Sequence, residues 1–138
     1  MHLHMKVDGR CYCGDITFEA EIDPAKVELC HCTDCQRLSS SAFRIIVPAE
    51  PGSFRLLTGK PTVYVKTAES GNRRDQAFCP QCGTSIYSAP SGGKQGYFGL
   101  RVGALQQRDE LIPHAQFWRR SAKGWVDDIA GLPKFETE

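Results

Sequence analysis

Nothing in this 138-residue chain approaches the ~20 consecutive apolar residues that a membrane-spanning helix needs. Nor is there an excess of charge of either sign. Seventeen basic and sixteen acidic side chains leave a formal charge of +1, too little to create a broad field for a phosphate backbone, which argues against nucleic acid as a partner. Two basic pairs, Arg73–Arg74 and Arg119–Arg120, read as solvated loops or strand edges. The opening Met1–Arg10 is polar and lacks the apolar core of a secretion signal, so a cytoplasmic protein with no membrane partner is expected. Internal repeats, long low-complexity segments and long amphipathic helices are also missing.

What is present fits one globular unit. An apolar share of 41% is ordinary for a folded protein. A chain of this length can bury roughly two thirds of its unfolded surface, enough for a core. Asp15–Ile22 alternates, with Ile16, Phe18, Ala20 and Ile22 on one side, the mark of a half-buried strand. Ala42–Val47, Phe54–Leu57, Thr62–Val65, Thr84–Tyr87, Tyr97–Val102 and Gln116–Trp118 are further short strands, rich in β-branched or aromatic residues and bounded by turn formers. Ala89–Gly96 reads as a loop. Thr33–Leu38 is expected to form two helical turns capped by Thr33 or Asp34, and Ala122–Ile129 a short turn. The expected architecture is mainly β, a single domain over residues 1–138 with few short helices.

Seven cysteines are the exception to this ordinary composition. In a reducing compartment metal binding or catalysis is their commoner use, and an odd number does not close a disulfide framework. They form three clusters: Cys11 and Cys13; Cys30, Cys32 and Cys35; Cys79 and Cys82. Tight turns are supplied by Gly14, Pro80 and Gly83. Thiolates in a tetrahedron suit zinc, although an iron–sulfur cluster also accepts four. One partition joins Cys11, Cys13, Cys79 and Cys82 into a closed site and leaves Cys30, Cys32 and Cys35 as three ligands on one loop. A three-ligand zinc with an exchangeable fourth position is the catalytic arrangement. The rival partition is a ribbon of Cys32, Cys35, Cys79 and Cys82, which strands three cysteines. His31, Asp34 or His114 are the side chains that could close the three-cysteine site, although His31, between two ligands, is expected to point away.

Gly9-Arg10-Cys11-Tyr12-Cys13-Gly14 resembles the G-x-C-x-C-G opening of the glutathione-dependent formaldehyde-activating enzyme family, which includes centromere protein V. Cys30-His31-Cys32-Thr33-Asp34-Cys35-Gln36-Arg37 is similar to its C-H-C-x-x-C-x-R motif, and Phe78-Cys79-Pro80-Gln81-Cys82-Gly83-Thr84 to its F-C-x-x-C-G-[ST] motif. Pro113-His114, Trp125 and Gly131-Leu132-Pro133 resemble later landmarks. The resemblance implies a tent-like fold of three antiparallel sheets around zinc. It also implies a structural zinc on Cys11, Cys13, Cys79 and Cys82, and a substrate-facing zinc on Cys30, Cys32 and Cys35. The implied chemistry is carbon–sulfur bond formation and lysis: formaldehyde and glutathione condensing to S-hydroxymethylglutathione, and the reverse. Two positions depart from the family pattern, Ser40 where glycine is usual and Ala130 where aspartate is usual. A Cβ at residue 40 would interfere with a closely approaching substrate.

These residues predict that Cys30, Cys32 and Cys35, held on zinc, present a glutathione-like thiolate to an aldehyde, with Arg37 offsetting the negative charge. The competing class is a non-enzymatic zinc module for protein or nucleic-acid binding. A third reading is a lyase or transferase acting on another sulfur compound.

Overall fold

The computed structural model describes residues 4–93 and 97–138, and its strands follow from alternation. β1 (Met5–Arg10) pairs antiparallel with β2 (Thr17–Ile22). In β2 Phe18, Ala20 and Ile22 are buried, as is Ile16 just before it, while the intervening residues face outward. β5 (Arg55–Thr58) joins the other edge of β2 and completes a three-stranded sheet. The second sheet has seven strands in the order β10-β3-β4-β9-β8-β7-β6. These are β3 (Glu28–Cys30), β4 (Arg44–Pro48), β6 (Thr62–Thr67), β7 (Arg73–Phe78), β8 (Ser85–Pro90), β9 (Gly99–Arg101) and β10 (Ala115–Phe117). The only α-helix among the described residues is α1 (Thr33–Ser39); a 3₁₀ segment covers Val126–Gly131.

Mainly-β architecture is therefore borne out, but with two sheets rather than three. The short β9 pairs with both β4 and β8 and fuses what would be two sheets into one. Nor is the pairing antiparallel throughout: β10 runs parallel to β3. The expected strand at Tyr97–Val102 shrinks to Gly99–Arg101 because a 3₁₀ turn begins at Val102. Ala89 and Pro90 belong to β8 rather than to a loop, and residues 94–96 of that expected loop lie outside the described residues. The Arg73–Arg74 pair opens β7, an interior strand between β6 and β8.

The register gives the large sheet two unlike faces. Because side chains alternate along a strand, Val47, Leu100, Tyr87 and Ala77, paired in succession, share one face. Val47, Leu100 and Ala77 are buried there, and the first two join Val7, Phe18, Ala20 and Ile22 of the small sheet in one apolar cluster. Phe54 stacks on Phe98 at 4.6 Å and meets Tyr87 edge-on at 5.2 Å in the same layer. Isolated bridges Gly9–Leu105 and Ile22–Ala49 tie the sheets together at the backbone. The opposite face is polar. Cys30 pairs with Arg44; Arg101 pairs with Ile46, two residues further along β4; and Gly99, Ser88, Gln76 and Tyr64 continue the same row. Helix α1 lies over this face, fastened by an ion pair from Asp34 to Lys66 of 2.7 Å.

Candidate metal centres

Two turns of nearly the same build carry the four distant cysteines. After β1, the Cys11 N–H donates to the Ile16 carbonyl (3.0 Å) and Gly14 N–H to the Cys11 carbonyl (3.1 Å). After β7, Cys79 N–H donates to Thr84 (2.9 Å) and Gly83 N–H to Cys79 (2.8 Å). Each turn reverses through a glycine in the left-handed region, Gly14 at φ 84° and Gly83 at φ 82°, where a Cβ is disfavoured. The turns face one another. Tyr12 N–H donates to Thr84 Oγ1 at 2.9 Å, and Cys13 N–H to Cys82 Sγ at 3.4 Å.

The four Sγ atoms lie within 4.8 Å of one another. Cys11–Cys13 and Cys13–Cys79 are separated by 3.6 and 3.8 Å, with no disulfide formed. A tetrahedron with 2.3 Å metal–sulfur bonds has edges of about 3.8 Å, so the thiols are spaced to hold a metal ion. Backbone N–H groups of Ile16 and Gln81 also point at sulfur, on Cys11 (3.2 Å) and Cys79 (3.4 Å). The electrostatics of the four thiols are in keeping with this spacing. Thr84, through its hydroxyl and N–H, draws the Cys82 thiol down to about 5. The Asp15 N–H pulls Cys13 the same way, but desolvation and the three neighbouring sulfurs outweigh it and push that thiol up to about 12. Four thiols this close do not all ionise unless a cation joins them.

The second group is local. Cys30 ends β3, Cys32 precedes α1, and Cys35 lies buried in its first turn; their sulfurs also fall within 4.8 Å of one another. Cys32, rather than Thr33 or Asp34, caps the helix, because its Sγ accepts the Cys35 N–H at 3.2 Å. Burial pushes Cys35 up to about 12 despite the pull of Arg44, with the neighbouring thiols adding to the rise. Burial also raises Cys32, yet the Cys35 N–H and the other two thiols outweigh it and leave that thiol lowered. The C-terminal segment holds the loop in place: His31 N–H donates to the Phe117 carbonyl (2.9 Å), and Gln36 Nε2 donates to the carbonyls of His31 (2.7 Å) and Ser121 (2.9 Å).

The structure thus brings together Cys11, Cys13, Cys79 and Cys82, and separately Cys30, Cys32 and Cys35; the ribbon alternative is excluded. Among the described residues no histidine or carboxylate joins the trio. The His31 ring is fully buried and contacts Gln116 Oε1 at 2.9 Å, Asp34 is engaged with Lys66, and His114 is exposed. Arg37 is exposed on the outer side of α1, bordering a groove of about 700 Å³ with Trp125 and Lys123. The cations acting on the trio are instead Arg44 and Arg101, both missed in the sequence because only strand register reveals them. Arg44 lies opposite Cys30, and Cys35 also acts on the 7%-exposed Arg101. Burial, then Arg44, lowers the Arg101 guanidinium to about 9, which leaves it charged at neutral pH. Ser40 is the left-handed residue ending α1 (φ 52°, ψ 37°), so the usual glycine there answers a backbone conformation. Ala130 is exposed, and its carbonyl accepts Lys134 Nζ.

Comparison with known proteins agrees with these motifs. A family model described as glutathione-dependent formaldehyde-activating enzyme matches residues 6–121. An uncharacterised lyase of Schizosaccharomyces pombe is 33% identical over 95 residues, or 66% of this chain. The chain spans 63% of that relative's length. The crystal structure of a Rhodobacter sphaeroides protein superposes with a TM-score of 0.61 at 22% identity, covering 79% of this chain and 98% of that one; this likeness concerns the fold.

Proposed function

Because the chain belongs to the glutathione-dependent formaldehyde-activating enzyme family, we propose that it is a zinc-dependent carbon–sulfur lyase-like enzyme acting on adducts of glutathione or a similar thiol with an aldehyde. Residues 1–138 act as one zinc-binding domain in this reading. Cys11, Cys13, Cys79 and Cys82 hold a structural zinc, and Cys30, Cys32 and Cys35 hold the reactive one. Single ions fit better than iron–sulfur clusters, since thiols within 4.8 Å of one another leave no room for bridging sulfides. The observation that carries the reading is the contrast in donors: four thiols in one place, and in the other three thiols that no histidine or carboxylate among the described residues joins.

Zinc supplies a centre at which a thiol is deprotonated at neutral pH. The trio fixes where that sulfur sits, and the Cys35 N–H holds the Cys32 thiolate in place. In the synthetic direction the visiting sulfur's lone pair forms the C–S bond with the aldehyde carbon, and the C=O π pair moves to oxygen, which takes a proton from solvent; lysis is the reverse. Three thiolates make the trio electron-rich, which favours delivery of a thiolate over activation of water. Seven free cysteines suit a reducing compartment such as the cytoplasm.

Cys32→Ser tests the proposal. It should remove one zinc per chain and lower thiol–aldehyde turnover at least 100-fold; full turnover after loss of that zinc would end the reading. A non-enzymatic binding module is the second reading, favoured by the exposed Trp118, Trp125, Leu132 and Phe135 of the C-terminal segment. It predicts no turnover with any thiol.

A further inference from the structure

Two arginines share the face of the large sheet on which Cys30 lies. Arg44 Nη1 (3.3 Å) and Arg101 Nη2 (3.2 Å) donate to one neutral acceptor, Gln76 Oε1. Among the described residues neither guanidinium forms an ion pair with a carboxylate; the ion pairs there engage His4, Arg55, Lys66 and Arg119. Glu28 shares the polar face but pairs with neither. Arg101 is 7% exposed, and Arg44 Nε is buried without any hydrogen-bond partner. Buried charges are normally paired, so this pair is short of an anion.

The trio does not supply enough of it. Three thiolates on a dication leave one negative charge against two guanidiniums. Two adjoining hollows of about 230 and 260 Å³ open beside the pair, each lined by Arg44, Arg101, Leu38 and Ser85. The smaller has the volume of about eight water molecules, sufficient for a carboxylate on a short methylene arm and far too small for a macromolecular segment. Leu38 supplies an apolar wall, and a guanidinium fork matches a carboxylate in two parallel hydrogen bonds. Directly opposed residues on neighbouring strands have Cβ atoms about 5 Å apart, so the side chains of Arg44 and Cys30 leave the sheet side by side.

We propose that Arg44 and Arg101, with Gln76 between them, form a carboxylate-binding subsite beneath α1 that selects small thiols bearing an acidic group for the three-cysteine centre. The subsite rests on the function proposed above for its thiol end, but its anion end needs no metal. A ligand entering it gives each guanidinium a charged acceptor in place of a shared neutral one.

Calorimetry with S-methylglutathione, which has the carboxylates and no free thiol, separates the two claims. The intact protein should bind it at least tenfold more tightly than its diethyl ester. Arg44→Gln should lose at least tenfold in affinity, and Arg44→Lys should recover part of it. In turnover with formaldehyde, the preference for 3-mercaptopropionate over 2-mercaptoethanol should fall at least tenfold in Arg44→Gln, with the loss carried by KM for the acid rather than by its kcat. Equal binding of acid and ester to the intact protein would overturn the subsite, and this comparison holds even if Arg44→Gln does not fold. Displacement of S-methylglutathione by equimolar inorganic phosphate would overturn the carboxylate assignment. Acid-selective binding without turnover of any thiol would instead keep the subsite and remove the enzymatic reading.

Discussion

The two cysteine groups contain the same chemistry but are embedded oppositely in the chain. Cys11 and Cys13 meet Cys79 and Cys82 across more than sixty residues, at the ends of strands from different sheets. Cys30, Cys32 and Cys35 sit within six residues, at the junction of β3 and α1. A metal bound by distant segments stabilises the whole fold, because those segments come together only in the folded state. A metal bound by one loop stabilises that loop. On the function proposed above, loss of the first site should unfold the protein and loss of the second should disarm it.

The sharpest way to break this comparison is Cys79→Ser. It removes a buried thiol from the long-range cluster and, with a metal bound there, should cost several kcal/mol, with the cooperative melt abolished or lowered by more than 15 °C. Cys32→Ser, by contrast, should shift the melting temperature by less than about 4 °C, a loss of roughly 1 kcal/mol or less. If the two variants melt alike, the distinction fails. Graded chelation comes next in size. One zinc per chain should leave first with the near-UV circular dichroism preserved, and the second only with unfolding; simultaneous loss of both would contradict the assignment. Ser40→Gly gives the smallest effect. Relief of a left-handed residue, worth about 1 kcal/mol, is partly offset by glycine's greater unfolded-state entropy, so stability should rise by less than about 1 kcal/mol with turnover unchanged. A loss of substrate affinity would restore residue 40 to the binding surface.

Much of the clamp was legible beforehand, because cysteine spacing and turn glycines are local signals. The alternation of Ile16, Phe18, Ala20 and Ile22 likewise marked β2, and its burial follows that pattern. β7 was not legible. Arg73 and Arg74 read as a solvated loop or strand edge, and no signal marked Gln76, which is buried because its side of the strand faces a polar layer under α1 rather than the apolar core. The same layer hid Arg44 and Arg101. They are 57 positions apart in sequence, and only the register through Ile46 brings them to one row. Arg37, adjacent to the trio in sequence, was the natural cation to choose; the helix turns it outward. The fusion of the expected sheets through β9 depends on three residues, too few to show a period.

The parallel pairing of β10 with β3 has a consequence for synthesis. A chain emerging in order exposes all four clamp cysteines once Cys82 has left the ribosome, whereas the partners that brace His31 and Gln36 come only with Gln116, Phe117 and Ser121. The trio's loop is therefore framed after the clamp's ligands are complete. A nascent chain stopped before β10 would carry the four clamp cysteines and an unbraced three-cysteine loop.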